Sequence, residues 1–307
     1  MSTDVTTRPT PTSAPNTRPP HHAARRSTRH SPWLRKLRRA NYPAGLASLV
    51  WLVIVAVPLY VLVVSTLVSR DDYLSNGPLS LPTDPSLDAY RRVLESDFLT
   101  YALNTAIVTL SCAGLVVVLS VMIGYTVVRT RSRLSQRVFQ VFLLGLAIPA
   151  QAVIVPVYLV ITQLHLYDTL LAVILPTVAF SLPVSVLILA GTMRDIDEEL
   201  YESMALDGAG QARMLLQLVV PLSRGGIATV AIFAALQSWN NFLFPLILTQ
   251  SRSNRVLTLG LYDYVGEFRV DIPALLAAVV LSILPIFVAY LLARRQLING
   301  LMGVGGR

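Results

Sequence analysis

Residues 102–128 read ALNTAIVTLSCAGLVVVLSVMIGYTVV, an unbroken run without a single Asp, Glu, Lys or Arg. A hydrocarbon core about 30 Å thick is crossed by roughly 20 apolar residues at 1.5 Å each, so this run predicts a membrane-spanning helix. Working outward, five more stretches meet the same demand, at about 44–68, 138–164, 170–192, 226–248 and 273–293. The expected fold class is an all-α membrane protein with six transmembrane helices. Continuous helices satisfy every backbone polar group internally, as lipid requires.

Composition points the same way. Of 307 residues, 54% are hydrophobic and 14% charged, against about 25% charged in ordinary soluble domains. The net charge of +8 is one a nucleic-acid binder could share, but here the cations separate apolar runs and do not line a polar face. Lipid is the expected surrounding, and no nucleic-acid partner is expected. The single cysteine, Cys112, lies inside an apolar run; it excludes a disulfide within the chain and reads as a small hydrophobe. His21, His22, His30 and His165 have no metal-ligand spacing.

Residues 1–43 form a tail rich in Pro, Thr and Arg. Up to about Ser31 it carries too little apolar surface to offset its ordering entropy and is expected to be disordered. Trp33 to Arg39 mixes apolar anchors with cations, either lying on an anionic membrane surface or simply solvated. The first apolar run is too extended for a signal peptide and has no small-residue cleavage site, so it is expected to be retained. Prolines at 58, 149, 156, 176, 183, 245 and 285 punctuate the runs. Each removes a backbone hydrogen bond and tends to kink a helix. Nineteen of the 25 cations fall on one side of the expected spans and six on the other, which places both termini in the cytoplasm.

The one long loop on that side, residues 193–224, is acidic: Asp195, Asp197, Glu198, Glu199, Glu202 and Asp207. Asp195 with Glu198 three residues on predicts a capped helix start, and acids in a first turn suit the helix dipole. Leu200, Tyr201, Met204 and Ala205 give an apolar stripe. Gly208 suits a left-handed C-cap. A second helical run from Gln211 to Val220 is expected to end at Pro221. On these grounds the segment is either a structural elbow or a docking lever.

The spacing Glu202-Ser203-Met204, Gly208, Leu218, Val220, Pro221, with Asp207-Gly208-Ala209 at its centre, resembles the EAA loop of ABC importer permeases. Ser203 and Met204 stand where that loop has two alanines, Leu218 where it has Ile, and Val220 where it has Leu. The likeness extends over 44–307, through Asn104-Thr105, Gly124-Tyr125…Arg129, Pro149, Pro156-Val157-Tyr158, Leu166-Tyr167-Asp168-Thr169, Trp239 to Leu246, Leu257 to Leu261 and Gly300 to Gly306. It is similar to the carbohydrate branch, the six-span half of the maltose-permease type. The resemblance implies a bacterial plasma-membrane subunit that pairs with a second permease, making a heterodimer. It further implies docking on a dimer of ATPases through Glu202, Ser203, Met204, Asp207, Gly208, Ala209 and Pro221, and substrate delivery by an extracytoplasmic solute-binding protein.

No Gly-x-x-x-x-Gly-Lys-Ser/Thr loop occurs and the only lysine is Lys36, so ATP and Mg would be bound by the partner ATPase and no cofactor by this chain. The chain is therefore expected to be a transport subunit and not an enzyme. No acid or base lies deep in an expected span, which argues against a proton-coupled secondary transporter. Ser65, Ser111 and Ser120 lack the partners an intramembrane enzyme needs. Asn104, Gln151, Gln237, Asn240 and Asn241 are the amides that either line a pathway for a hydroxyl-rich solute or tie helices together. A permease for a non-sugar solute is the alternative that this pattern leaves open.

Overall fold

The computed structural model describes residues 42–77, 82, 84–130, 132–265 and 270–305. The tail up to residue 41, with the basic stretch Trp33–Arg39, lies outside the described residues. The chain divides into two compact units between Ile54 and Val55, within its first helix, Tyr42–Ser65 (α1). The described part of the first unit is the apolar start of that helix. The packing and the site described below lie in the second.

Phe98–Arg129 (α2) is a 32-residue helix. Arg133–Leu143 (α3) and Ile154–Gln163 (α4) follow, then Leu170–Arg194 (α5), Glu198–Leu206 (α6), Arg224–Trp239 (α7), Leu243–Leu248 (α8) and Ile272–Gly305 (α9). Among the described residues four helices are long and apolar enough to cross a membrane: α1, α2, α5 and the part of α9 up to Ala289. Two bent pairs pass the same test together, giving up to six crossings.

The first pair bends by 96° within the run expected over 138–164, at one of the prolines expected to kink it. The reason is local. Ile148, held extended at ψ 111° ahead of Pro149, cannot continue a helix. Pro156 and Pro245 fall in the first turns of α4 and α8, where a missing N–H costs nothing, so they begin helices and do not kink them. Pro58, Pro176, Pro183 and Pro285 do lie inside helices. The run expected at 226–248 is also interrupted, between Trp239 and Leu243.

α2 is the centre of the packing. Val108, Cys112 and Val116, at successive four-residue steps, pack with Val173, Ile174, Leu189 and Met193 of α5 and with Val230 and Ala234 of α7. The opposite face of α2 exposes Leu99, Leu103, Leu110, Val118 and Met122. In water that would be a large apolar patch; against acyl chains it is the matching solvent. Hydroxyls inside the helices bond their own backbone four residues back, as in Thr177 to Val173, Ser181 to Thr177 and Ser185 to Ser181.

Candidate functional site

The acidic segment folds as a helix–corner–helix elbow at the arginine-rich end of α2. Asp195 does not cap the elbow helix. The Ile196 N–H bonds back to the Met193 carbonyl, so Asp195 is drawn into closing α5 as its C-cap. The N-cap position of α6 passes to Asp197, whose side chain makes no capping bond. Glu198 and Glu199 then occupy the first turn, where their charge suits the helix dipole.

Gly208 has φ +75°, a conformation that costs a side-chain-bearing residue roughly 1–2 kcal/mol. Its N–H bonds to the Ala205 carbonyl at 3.0 Å, and the Ala209 N–H to Met204 at 2.9 Å. That pair of bonds is a Schellman closure, satisfying the carbonyls that a helix end orphans. Gln211–Met214 resumes the helix, a π-turn covers Leu215–Val219, and Val220–Leu222 carries Pro221. Pro221 therefore does not end the run. The chain stays helical through it and turns by 79° before α7.

The expected apolar stripe divides. Tyr201 is 2% exposed and Met204 packs beside it into the core, together with Met214 and Val219. Leu200 and Ala205 face outward with Glu202, Ser203 and Asp207. Leu206 is 90% exposed. It was not singled out in the sequence because it lies off the stripe, although a leucine wedged between Ala205 and Asp207 was the available signal.

Two residues four apart on α2 hold the elbow on both sides of its corner. Arg129 Nη1 donates to Glu198 Oε1 at 2.6 Å, and its guanidinium carbon stands 4.3 Å from the centroid of the Tyr201 ring. Beyond the corner, the Tyr125 hydroxyl donates to Gln211 Oε1 at 2.7 Å. The partly exposed ion pair contributes about 0–1 kcal/mol and the cation–π contact about 0.5–2 kcal/mol. Among the described residues the Tyr201 hydroxyl and Arg129 Nε are buried and make no hydrogen bond within the chain. Burial pushes the Tyr201 hydroxyl up in pKa, with Arg129 pulling the other way.

The five amides separate into two groups. Asn104 is buried and donates to the backbone carbonyls of Ser253 and Arg255 at 2.7 and 2.8 Å. Asn241 donates to Thr177 Oγ1 at 2.7 Å, and its own carbonyl accepts from the Thr258 hydroxyl at 2.8 Å. Gln151, Gln237 and Asn240 are exposed. Asn240 also donates to the Leu236 carbonyl, finishing α7.

The end of α2 away from the elbow is tied to the segment between α8 and α9. The Tyr101 hydroxyl donates to Asp263 Oδ2 at 2.7 Å, and the Leu257 N–H donates to Thr105 Oγ1 at 2.8 Å. Asp263 is in turn paired with Arg255. At the same end Asp168, in a left-handed turn at φ 58°, accepts at Oδ1 from the Gln250 and Ser251 N–H groups at 2.8 and 3.0 Å. Desolvation works to raise its pKa, but these bonds together hold it below the usual carboxylate value.

With this architecture in place, comparison with known proteins gives the family. Residues 89–297 match the model of the binding-protein-dependent transport system inner membrane component, and the chain belongs to that family. It is a multi-pass membrane permease subunit of an ABC importer. One relative, the diacetylchitobiose uptake system permease NgcG of Streptomyces coelicolor, is 33% identical over 252 residues, 81% of this chain and 83% of its own. Another, the melibiose/raffinose/stachyose import permease MelC of Bacillus subtilis, is 27% identical over 248 residues, 80% and 89% of the two chains. Among solved structures, a bacterial ABC transporter that imports the acidic polysaccharide alginate shares the fold, with a TM-score of 0.71 over 84% of this chain and 97% of that one at 19% identity.

Proposed function

We propose that this permease carries a carbohydrate into the cytoplasm, driven by ATP hydrolysis in a separate subunit that docks on the elbow. One observation carries the reading: a left-handed glycine corner presents Glu202, Ser203, Leu206 and Asp207 to solvent at the end of a bundle of spans. An exposed leucine ringed by acids is a surface that a partner cleft covers with both apolar and polar contacts. Met204 and Ala209 shape the elbow from within, and Pro221 lies exposed on its second arm. Leu200 and Leu206, and not Met204, are its apolar contacts.

The elbow end is the cytoplasmic end, and both termini lie on that side, supported by the excess of arginine there. The carbohydrate assignment is supported by the diacetylchitobiose and the melibiose, raffinose and stachyose named for the relatives. The working assembly is a heterodimer with a second permease on two ATPases, fed by an external binding protein. ATP and Mg belong to the ATPases, and this chain needs no cofactor. Within the bundle, Gln151, Gln237 and Asn240 are the amides open to a passing solute, while Asn104 and Asn241 hold the frame. Residues 1–43 are a cytoplasmic tail outside the transport domain.

The test is uptake of labelled diacetylchitobiose, melibiose and glucose by cells whose only copy of this permease is wild type, Glu202→Lys or Gly208→Pro. ATP-dependent uptake of one of these sugars should be lost in both variants while each still inserts in the membrane. Undiminished uptake in both would sink the docking role. Uptake of amino acids or peptides in place of every sugar would remove the carbohydrate assignment.

A further inference from the structure

Resting on that reading, we infer that Arg129 is the positioning residue that passes elbow movement into α2, which carries it as a rigid rod to the external segment 253–263.

The covalent routes from the elbow into the bundle are compliant. On one side lies α5, which has Pro176 and Pro183 inside it. On the other lies a π-turn, Pro221 and a 79° bend before α7 begins. Proline, π-turns and sharp bends are where helices flex. α2 has none of these: its 32 residues contain no proline, and it is one continuous helix. The other three long helices each hold at least one interior proline.

The stiff element is therefore the one that is not joined to the elbow by the chain. It is joined by side chains. Arg129 takes Glu198 and the Tyr201 ring before the Gly208 corner, and Tyr125 takes Gln211 after it. Two attachments on one helix face, one on each arm, prevent the elbow from pivoting about either. At the far end Tyr101, Asn104 and Thr105 bind Asp263, the Ser253 and Arg255 carbonyls and the Leu257 N–H. A push on the elbow reaches those bonds without crossing a hinge.

Arg129 is the adjustable member of this linkage. Among the described residues its Nε makes no hydrogen bond within the chain, and beside it neither does the Tyr201 hydroxyl. Buried polar atoms are nearly always paired. A second elbow position that gives these two groups partners would thus compete with the one seen, which is what a two-position coupling element needs.

The experiment uses the intact importer purified through this chain, with three readouts: ATPase retained, ATP hydrolysis stimulated by the loaded binding protein, and transport. Arg129→Gln should retain the ATPase yet lose about tenfold of the stimulated hydrolysis, within the range of ordinary allosteric couplings. The charge exchange Arg129→Glu with Glu198→Arg should restore only the share of that loss carried by the ion pair, because a carboxylate at 129 cannot replace the cation over the Tyr201 ring. Tyr201→Phe, which keeps the ring, should be tolerated, and Tyr201→Leu should behave as Arg129→Gln does. Stimulation and transport unchanged in Arg129→Gln would overturn the inference. So would loss of the ATPase itself, as for Glu202→Lys, because Arg129 would then only shape the dock. A wild-type chain that retains no ATPase rejects the importer reading, and the linkage with it.

Discussion

The side-chain amide of Asn241 donates to the hydroxyl of Thr177 at 2.7 Å, joining the break between α7 and α8 to the first third of α5. Thr177 itself donates to the Val173 carbonyl at 2.6 Å, so its oxygen is free to accept. The interruption at residues 240–242 is thereby held by a specific bond and not left as loose chain.

Removing that amide tests how much the break depends on it. Asn241→Ala should lower thermal stability in detergent by about 1–2 kcal/mol, the range for a hydrogen bond between membrane helices that leaves polar partners behind. Asn240→Ala, at an exposed position, should change it far less. Equal melting curves for the two variants would count against the bond.

Gly260 gives a steric test at the other end of α2. A Cβ there would sit 2.2 Å from the Tyr101 ring, so Gly260→Ala must displace the ring or the backbone. Overpacking of this kind costs about 1–3 kcal/mol. The expected result is a lowered melting temperature, with Gly260→Ala costing much less in a Tyr101→Leu background than in the wild type. Additive losses would show that the contact is not the cause.

The Gly208 corner separates backbone conformation from side-chain chemistry. Gly208→Asn, a residue that tolerates the left-handed region, should keep more uptake than Gly208→Val, in which a β-branched side chain meets the full penalty. Space is not the issue, since nothing lies within 4 Å of a Cβ built there. Equal uptake in the two variants would mean that the corner can be rebuilt without a positive φ.

Asp168 carries a pH dependence with a definite sign. Its folded pKa is lowered, so its contribution is fully present above the unfolded value of about 3.9 and is lost as pH falls through the lower folded value. Limited proteolysis near residues 249–254 should accelerate as pH is taken from 6 to 3. Asp168→Ala should already cleave quickly at pH 6. A wild-type rate independent of pH would contradict the role of the carboxylate.

The apolar runs were legible because length and hydropathy alone mark a crossing, and the match to α5 is within a few residues. The bend at Pro149 was marked by its proline, though not its 96° size, while the break at Asn240 was not, because the averages run straight across it. The Gly208 corner was readable from a glycine after a periodic helix. The shift of the cap from Asp195 to Asp197 was not, because it depends on which helix claims the residue first. Asn104 and Asn241 were found as unusual amides, but only their partners, 149 and 64 residues away, show that they tie the frame. The Arg129–Glu198 pair, 69 residues apart, left no local signature at all.

The unbroken course of α2 also fixes its length. Each residue turns a helix by about 100° and advances it 1.5 Å, so one residue inserted between Thr105 and Tyr125 would rotate the two ends against each other by more than a quarter turn. Tyr101 and Asn104 would keep their partners only if Tyr125 and Arg129 lost theirs. Substitution along the lipid-facing side can be free, but insertion and deletion there cannot: α2 tolerates a change of letters and not a change of count.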